Sequence, residues 1–557
     1  MDSKRLITAF LLSALILMGW NTLFPPPAPA QQQAAQQTVQ AASASPAELT
    51  ATVPVTVNTG TVRAVIDEKS GDLRGLTLVK YNAANDENKE FVLFSADKAH
   101  TYIAQSKLTG ADGRDLLEGV SFTAAQKNYT VSGGNTEVRL SAPEKNGLKI
   151  DKVYTFSPDG YLFGVRFDVK NNGSQTAKIG GSYNVLRDNT TPEGQGWFMH
   201  SYTGPVVYTP EADFQKVDFS TLDNDAAQGR DTAEYQRQSS GGYAGMIQHY
   251  FAAAWLAQDH SGTNLCAQGG CVMDVKKDGS LYRSGFKTAP VDLPAGKSVS
   301  LNARLYAGPQ ITALLKAAAP HLELTKDYGR VHIFAAPLFW LLNWLHTLVG
   351  NWGWAIILLT VIVKALLYPL NERAYKSMAK MRTVAPKMEA IKQKYPKPED
   401  RMAMQQAMMQ LYRDEKINPL GGCLPMLLQM PIFIGLYWMI FLSVELRQAP
   451  WLGWVHDLSR PDPYWILPAL MAATMWFQTT LNPPPSDPMQ AQMVKIMPLV
   501  FSVMFFFFPS GLVLYYVVNN LLTIAQQWHI NRRVGQPAAA PQAEVLDKAP
   551  ADGKKGR

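Results

Sequence analysis

The chain has 557 residues, with 52 Lys and Arg against 45 Asp and Glu for a formal net charge of +7, and only three cysteines; it exceeds one ordinary domain and excludes a disulfide-rich or zinc-ribbon framework. Its mean hydropathy of -0.10 hides two halves that cancel: a polar, glycine-bearing stretch to about residue 308, then one dense in Leu, Met, Phe and Trp. That is a soluble domain followed by a membrane domain, and because the basic excess falls largely in loops and ends of the membrane half, it bears on topology before nucleic acid.

Lys4 and Arg5 precede an apolar run over residues 6–24, followed by PPPAPA and a Gln/Ala/Ser stretch to about residue 54. This start is either an uncleaved anchor helix over residues 1–24 or a secretory signal peptide. Ala28-Pro29-Ala30 resembles a cleavage site, but prolines crowd it and the run is long enough to span a bilayer, which favours the anchor. On both readings residues 25–54 form a flexible linker and the domain beyond it lies outside the cytoplasm.

Residues 55–308 show short alternating runs, such as TVRAVID, KVYTFS and LFGVRFDVK, split by Gly, Asn and Asp turns. This pattern predicts an antiparallel β-sandwich. Its histidines and carboxylates have no metal or nucleophile spacing. Ala295-Gly296-Lys297-Ser298 looks like the end of a phosphate-binding loop, but Val291 stands where the first glycine is needed. A binding or scaffolding module is the first reading, a sugar-active sandwich enzyme the second. Cys266 and Cys271 would form a local disulfide in an exported domain and a pair of free thiols otherwise. Cys423, in an apolar run, reads as a packed side chain.

Apolar segments of spanning length cover residues 352–370, 420–444, 464–481, 494–508 and 512–528. A sixth candidate, 333–349, is ambiguous. If it also spanned, the basic segment 371–419 would end on the outer side, against the positive-inside rule. Residues 309–349 are therefore expected to be interfacial amphipathic helices, and 350–533 a five-helix core. Segment 371–419 and the tail 534–557 then lie inside. The inner segment reads as a helical hairpin broken near Pro396 and Pro398, with methionines at 378, 381, 388, 402, 404, 408 and 409. Methionine suits a surface that accepts varied apolar partners, and equally suits packing between the two helices.

Lys364 is the one charge well inside a spanning segment, where an ionisable group costs roughly 2.5 to 3.5 kcal/mol on insertion scales. It stands four residues before Tyr368-Pro369, so snorkelling to a nearby helix end competes with a functional role. Thr360 shares its face. In the final span Tyr516, Asn520, Thr523 and Gln527 fall at i, i+4, i+7 and i+11, and Thr474 with Gln478 repeat the spacing in another span. Such stripes serve as polar glue between helices or line a wet recess. The spans hold no carboxylate to pair with Lys364, which favours water around it. The same lack, with no nucleotide motif, points away from a proton-coupled pump and toward a passive device needing no cofactor, metal or small-molecule substrate.

The run NPLGGCLPMLLQMPIFIGLYWMI (418–440), then SVELRQAP, HDLS, DPYWILPALM, SDPMQ and FPSGLVLYYVVNNL, closely resembles the YidC branch of the YidC/Oxa/Alb membrane protein insertases. The whole chain fits the Gram-negative form. The resemblance implies a multi-domain membrane protein of the bacterial inner membrane, with a periplasmic antiparallel β-sandwich and an α-helical membrane core. It further implies a hydrophilic groove, closed toward the periplasm, that takes the polar flanks of client segments. By position, Lys364 matches the family's groove arginine, a departure that keeps charge but loses the planar guanidinium. Thr360 and Tyr516 match groove residues. Cys423, Met430, Pro431 and Phe433 match a client-contacting third helix, and Phe505 matches a position in the fifth. Tyr375 and Asp487 match ribosome-proximal positions. Implied partners are nascent membrane proteins, the Sec translocon with its accessory subunits, the ribosome and the lipid bilayer.

Overall fold

The computed structural model describes residues 53–534 except 85, 98, 193–200, 232–233, 260–261, 268, 397–399, 416–423, 482–491, 494–495, 498–499 and 501. Alternation builds the N-terminal half. In Thr136–Ser141, Val138 and Leu140 are buried while Glu137, Arg139 and Ser141 stay exposed, the period-2 pattern of a strand with one wet face. The described strands form an 11-stranded and a 9-stranded sheet. Their pairings are antiparallel apart from Pro54–Asn58 against Asn128–Thr130, which run parallel from Thr56↔Asn128 to Asn58↔Thr130. The sheets face each other across one apolar core, as the alternation predicts.

Polar groups inside that core find partners across it. The Trp255 indole donates to the Asn184 carbonyl at 2.9 Å, and the Tyr102 hydroxyl to the Met246 carbonyl at 3.2 Å. Strands Gly204–Thr209, Tyr243–Gln248 and Phe251–Leu256 are buried at every position, so alternation is lost there. The chain after the last strand helps to cover their second face: the His321 ring stacks on Tyr208 at 4.9 Å, and its carbonyl accepts from Tyr243. Cys266 and Cys271 are disulfide-bonded.

Helices are α1 (Phe219–Ala227), α2 (Thr312–Ala318), α3 (His332–Val349), α4 (Trp352–Lys394), α5 (Arg401–Asp414), α6 (Leu424–Leu442), α7 (Ile466–Leu481) and α8 (Ser510–Val534). α3, α4, α6, α7 and α8 pack around a second apolar cluster. α3 buries Ala335, Leu342 and Leu345 and turns Ile333, Trp340, Trp344 and Leu348 outward. It lies close on α6, since a Cβ at Gly435 would come within 2.8 Å of the Phe334 Cβ. Gly350, in the left-handed region at φ 66°, ends α3, and the Asn351 side chain caps α4 through the Trp354 N–H.

α4 departs from the sequence reading. The expected break at Tyr368-Pro369 is absent, and one 43-residue helix of about 64 Å carries both the span and the first arm of the inner hairpin. A proline inside a helix removes one N–H and crowds the carbonyl four residues back, here that of Ala365. α8 packs along α4 over this stretch, with Gln526 Nε2 3.5 Å from the Tyr368 carbonyl, and the helix continues through the proline.

Candidate functional site

Lys364 lies twelve residues into α4, about 18 Å along its axis and so near the middle of a hydrocarbon layer about 30 Å thick. The helix runs on without a break to Lys394, so the helix end expected beside Tyr368-Pro369 is absent. The ammonium donates to Thr523 Oγ1 on α8 at 2.8 Å, and no described carboxylate pairs with it. Thr523 in turn donates to the Asn519 carbonyl one turn back. The Tyr375 hydroxyl also reaches the Thr523 side chain, and Tyr375 itself is buried. Tyr375, expected near the ribosome, is thus packed about three turns along α4 from Lys364.

The predicted stripe on α8 serves three neighbours rather than one. Thr523 faces α4. Asn520, buried, donates through Nδ2 to Thr474 Oγ1 on α7 at 3.3 Å. Tyr516 turns toward aromatic rings, 5.1 Å from Phe433 of α6 and 4.8 Å from Phe505. Gln527 is buried near the far end of the stripe. Thr360, on the face of α4 that also carries Lys364, is 1% exposed and its hydroxyl bonds the Ile356 carbonyl, so it does not reach the stripe.

Among the residues expected to contact a client, Met430 is exposed at 39% and Pro431 and Phe433 are half-buried. Phe505 is 5% exposed and packs inward against Tyr516, where an open apolar face was expected. Cys423 and Asp487 lie outside the described residues. Sequence reasoning passed over Gln429, whose Nε2 donates to the Tyr515 hydroxyl at 2.7 Å and joins α6 to α8. A lone amide in the run LPMLLQMPIF was the available signal. It also passed over Asn519, next to the stripe, whose buried Oδ1 has no hydrogen-bond partner among the described residues.

A family model described as "YidC periplasmic domain" matches residues 54–341, and one described as "60Kd inner membrane protein" matches residues 344–537. The chain is 60% identical over 98% of its length to all of a membrane protein insertase YidC of Neisseria meningitidis. It is 46% identical over 97% of its length to 99% of a membrane protein insertase YidC of Laribacter hongkongensis. The chain belongs to the YidC family of membrane protein insertases. Its β-sandwich is the family's periplasmic domain, and its helical core carries the family's transmembrane helices. A crystal structure of an active YidC insertase, 22% identical, aligns over 85% of this chain and 92% of its own with a TM-score of 0.39.

Because the β domain of this YidC-family chain is periplasmic, the end of the core that meets it is the periplasmic end. The meeting point is the segment between α6 and α7, where Val444 sits inside the apolar core of the β domain.

Proposed function

We propose that the chain inserts nascent membrane proteins by lending them a polar recess between α4, α7 and α8, partway across the bilayer, with no fuel of its own. The observation that carries this reading is the Lys364–Thr523 contact, a charge without a described counter-ion at mid-helix, beside a second polar contact between Asn520 and Thr474. A polar flank crossing hydrocarbon costs several kcal/mol per unsatisfied group, and a recess with its own donors and acceptors shortens that dry path. Burial of the client's apolar segment in lipid then drives release, at roughly 0.8 kcal/mol per methylene. Lys364 attracts acidic residues in short translocated tails. Met430, Pro431 and Phe433 on α6, with Cys423, form the apolar route out, and the inward-packed Phe505 backs it through Tyr516.

In this reading the N-terminal segment is an anchor, residues 350–533 cross the membrane as five helices, and the hairpin and basic tail lie in the cytoplasm. The exposed Met402 and Met409 of α5 receive the client, and the tail, with Asp487 nearby, approaches the ribosome. The Sec translocon is a partner for larger clients. The test is insertion of small single- and double-span proteins by the purified chain in liposomes. Lys364→Ala should lower insertion of clients with acidic tails several-fold, and crosslinkers at positions 430 and 433 should capture a stalled client. Unchanged insertion by Lys364→Ala across all clients sinks the groove reading.

A further inference from the structure

The segment joining α6 to α7 is gripped from the periplasmic side at several points. Arg447 donates to the Asn82 carbonyl, and its guanidinium lies 5.4 Å from the Phe91 ring centroid and 5.6 Å from those of Tyr250 and Phe251. Gln448, in the left-handed region at φ 57°, turns its side chain back to accept from the Asn82 N–H at 3.3 Å. Thirteen residues after Arg447, Arg460 bonds the Ala83 carbonyl at 3.1 Å and the Ala84 carbonyl at 2.5 Å, and pairs with Glu87 at 2.9 Å. Both arginines therefore hold the same edge of the β domain, residues 82–91.

What they hold is tied in turn to two core helices. His249 of the β domain meets the carbonyl of Phe441, in the last turn of α6, at 2.8 Å. The Arg460 carbonyl accepts from the Ser510 N–H at 2.7 Å, the Leu458 carbonyl from Gly511 N–H at 2.9 Å, and the Asp457 carbonyl from the Ser510 hydroxyl at 2.9 Å. Those donors open α8, the helix that carries Tyr516, Asn520 and Thr523. The first two N–H groups of α8 are thus satisfied by a loop that is itself fixed to the β domain.

We propose that the periplasmic domain is a brace: through Arg447 and Arg460 it fixes the 444–460 loop, and so the separation of the outer ends of α6 and α8, keeping the core shut on the periplasmic side while clients use its inner half. Arg447 and Arg460 are positioning residues, touching no client. The brace rests on the reading that the core works with its outer end closed.

The test uses the full chain in proteoliposomes, with Cys423→Ser so that a single engineered thiol at Val513→Cys, buried near the outer end of α8, is the one free thiol. A membrane-impermeant maleimide is added on the periplasmic face. Arg447→Ala and Arg460→Ala together should raise the labelling rate about tenfold, the scale on which a lost buried charge contact shifts a local opening equilibrium. Arg447→Lys, which keeps the cation over the rings, should stay within about twofold of the parent. Spin labels at Leu442 and Leu512 should report a longer and broader distance in the double variant. Arg460 is half-exposed, so Arg460→Ala alone, with a smaller rise, keeps the test open should Arg447→Ala not fold. Unchanged labelling and distances overturn the brace. So does an equal rise caused by Lys364→Ala, which would assign the seal to the groove. Insertion assays on Lys364→Ala judge the groove separately.

Discussion

His249 is buried at the joint between the β domain and α6, with Nε2 2.8 Å from the Phe441 carbonyl and its ring stacked on Tyr250 at 3.8 Å. Burial pulls its pKa down from 6.5 to about 4; the bond to Phe441 opposes that shift, and the neighbouring Arg447 charge adds to it. Between those values the unfolded chain binds a proton that the folded chain refuses. The joint's stability is therefore complete above about pH 6.5 and is lost as pH falls toward 4, by up to about 3 kcal/mol. Thermal unfolding of the full chain at pH 7.5 and pH 5 should show this loss, and His249→Gln should flatten it; an identical pH slope in the variant would remove His249 from the account. Nothing in the sequence marked His249, because its significance is burial between two domains distant in the chain. Lys364 was legible, since a charge at that depth announces itself in a hydropathy pattern. Its partner was legible only as one member of a stripe. At this position charge and geometry can be separated: Lys364→Arg should keep insertion of acidic-tailed clients within about twofold, while Lys364→Met should lose most of it. Client-by-client insertion kinetics are the check.

At the scale of elements, periodicity was a good guide wherever one face is wet, as in Thr136–Ser141, and failed in both directions where a neighbour overrides the local rule. Strand Phe251–Leu256 has no polar face because the domain covers both sides of it. α4 runs through Pro369 with α8 packed along it, despite one missing backbone bond. The start of α7 shows a local rule at work in the loop. Asp462, 1% exposed, accepts from the Leu467 N–H at 2.7 Å, the Tyr464 N–H at 3.0 Å and the Trp454 indole at 3.0 Å. Three donors converge on one carboxylate, and the loop that carries Arg460 is pinned to α7 by them. Asp462→Ala should cost about 1 to 2 kcal/mol and loosen the loop, whereas Asp462→Asn, which keeps one acceptor oxygen, should cost less. Melting midpoints and protease cleavage within residues 444–465 measure the two; equal midpoints for both variants would mean that the acceptor oxygen kept by Asn contributes nothing.

At the scale of the molecule, the two halves that composition separates near residue 308 are not independent bodies. The sequence shows each half's own pattern but cannot show that a valine from a membrane-side loop completes the β domain's core, since that contact joins segments hundreds of residues apart. Val444 is 2% exposed within that core, and fully burying a side chain of its size is worth about 1.5 to 3 kcal/mol. Beside it the Lys326 ammonium and the Glu445 carboxylate lie 3.0 Å apart, with Lys326 also over the Phe339 ring at 3.7 Å. Burial lowers the Lys326 pKa and the attraction of Glu445 opposes that, so breaking the pair strands a charge in an apolar joint. Removal of residues 55–308 should therefore lower the melting midpoint of the core and loosen its outer end, while α4, α7 and α8 still give simple clients much, but not all, of their insertion. Val444→Asp in the full chain forces an unpaired carboxylate into the same joint and should lower the midpoint by a similar amount. In the chain lacking residues 55–308 the same substitution should be almost without effect, because the apolar site it spoils is already gone. The four midpoints make a double-mutant cycle. Near-complete non-additivity assigns the stabilisation to the joint, while equal losses from Val444→Asp in both backgrounds would place Val444 in the service of the membrane core alone.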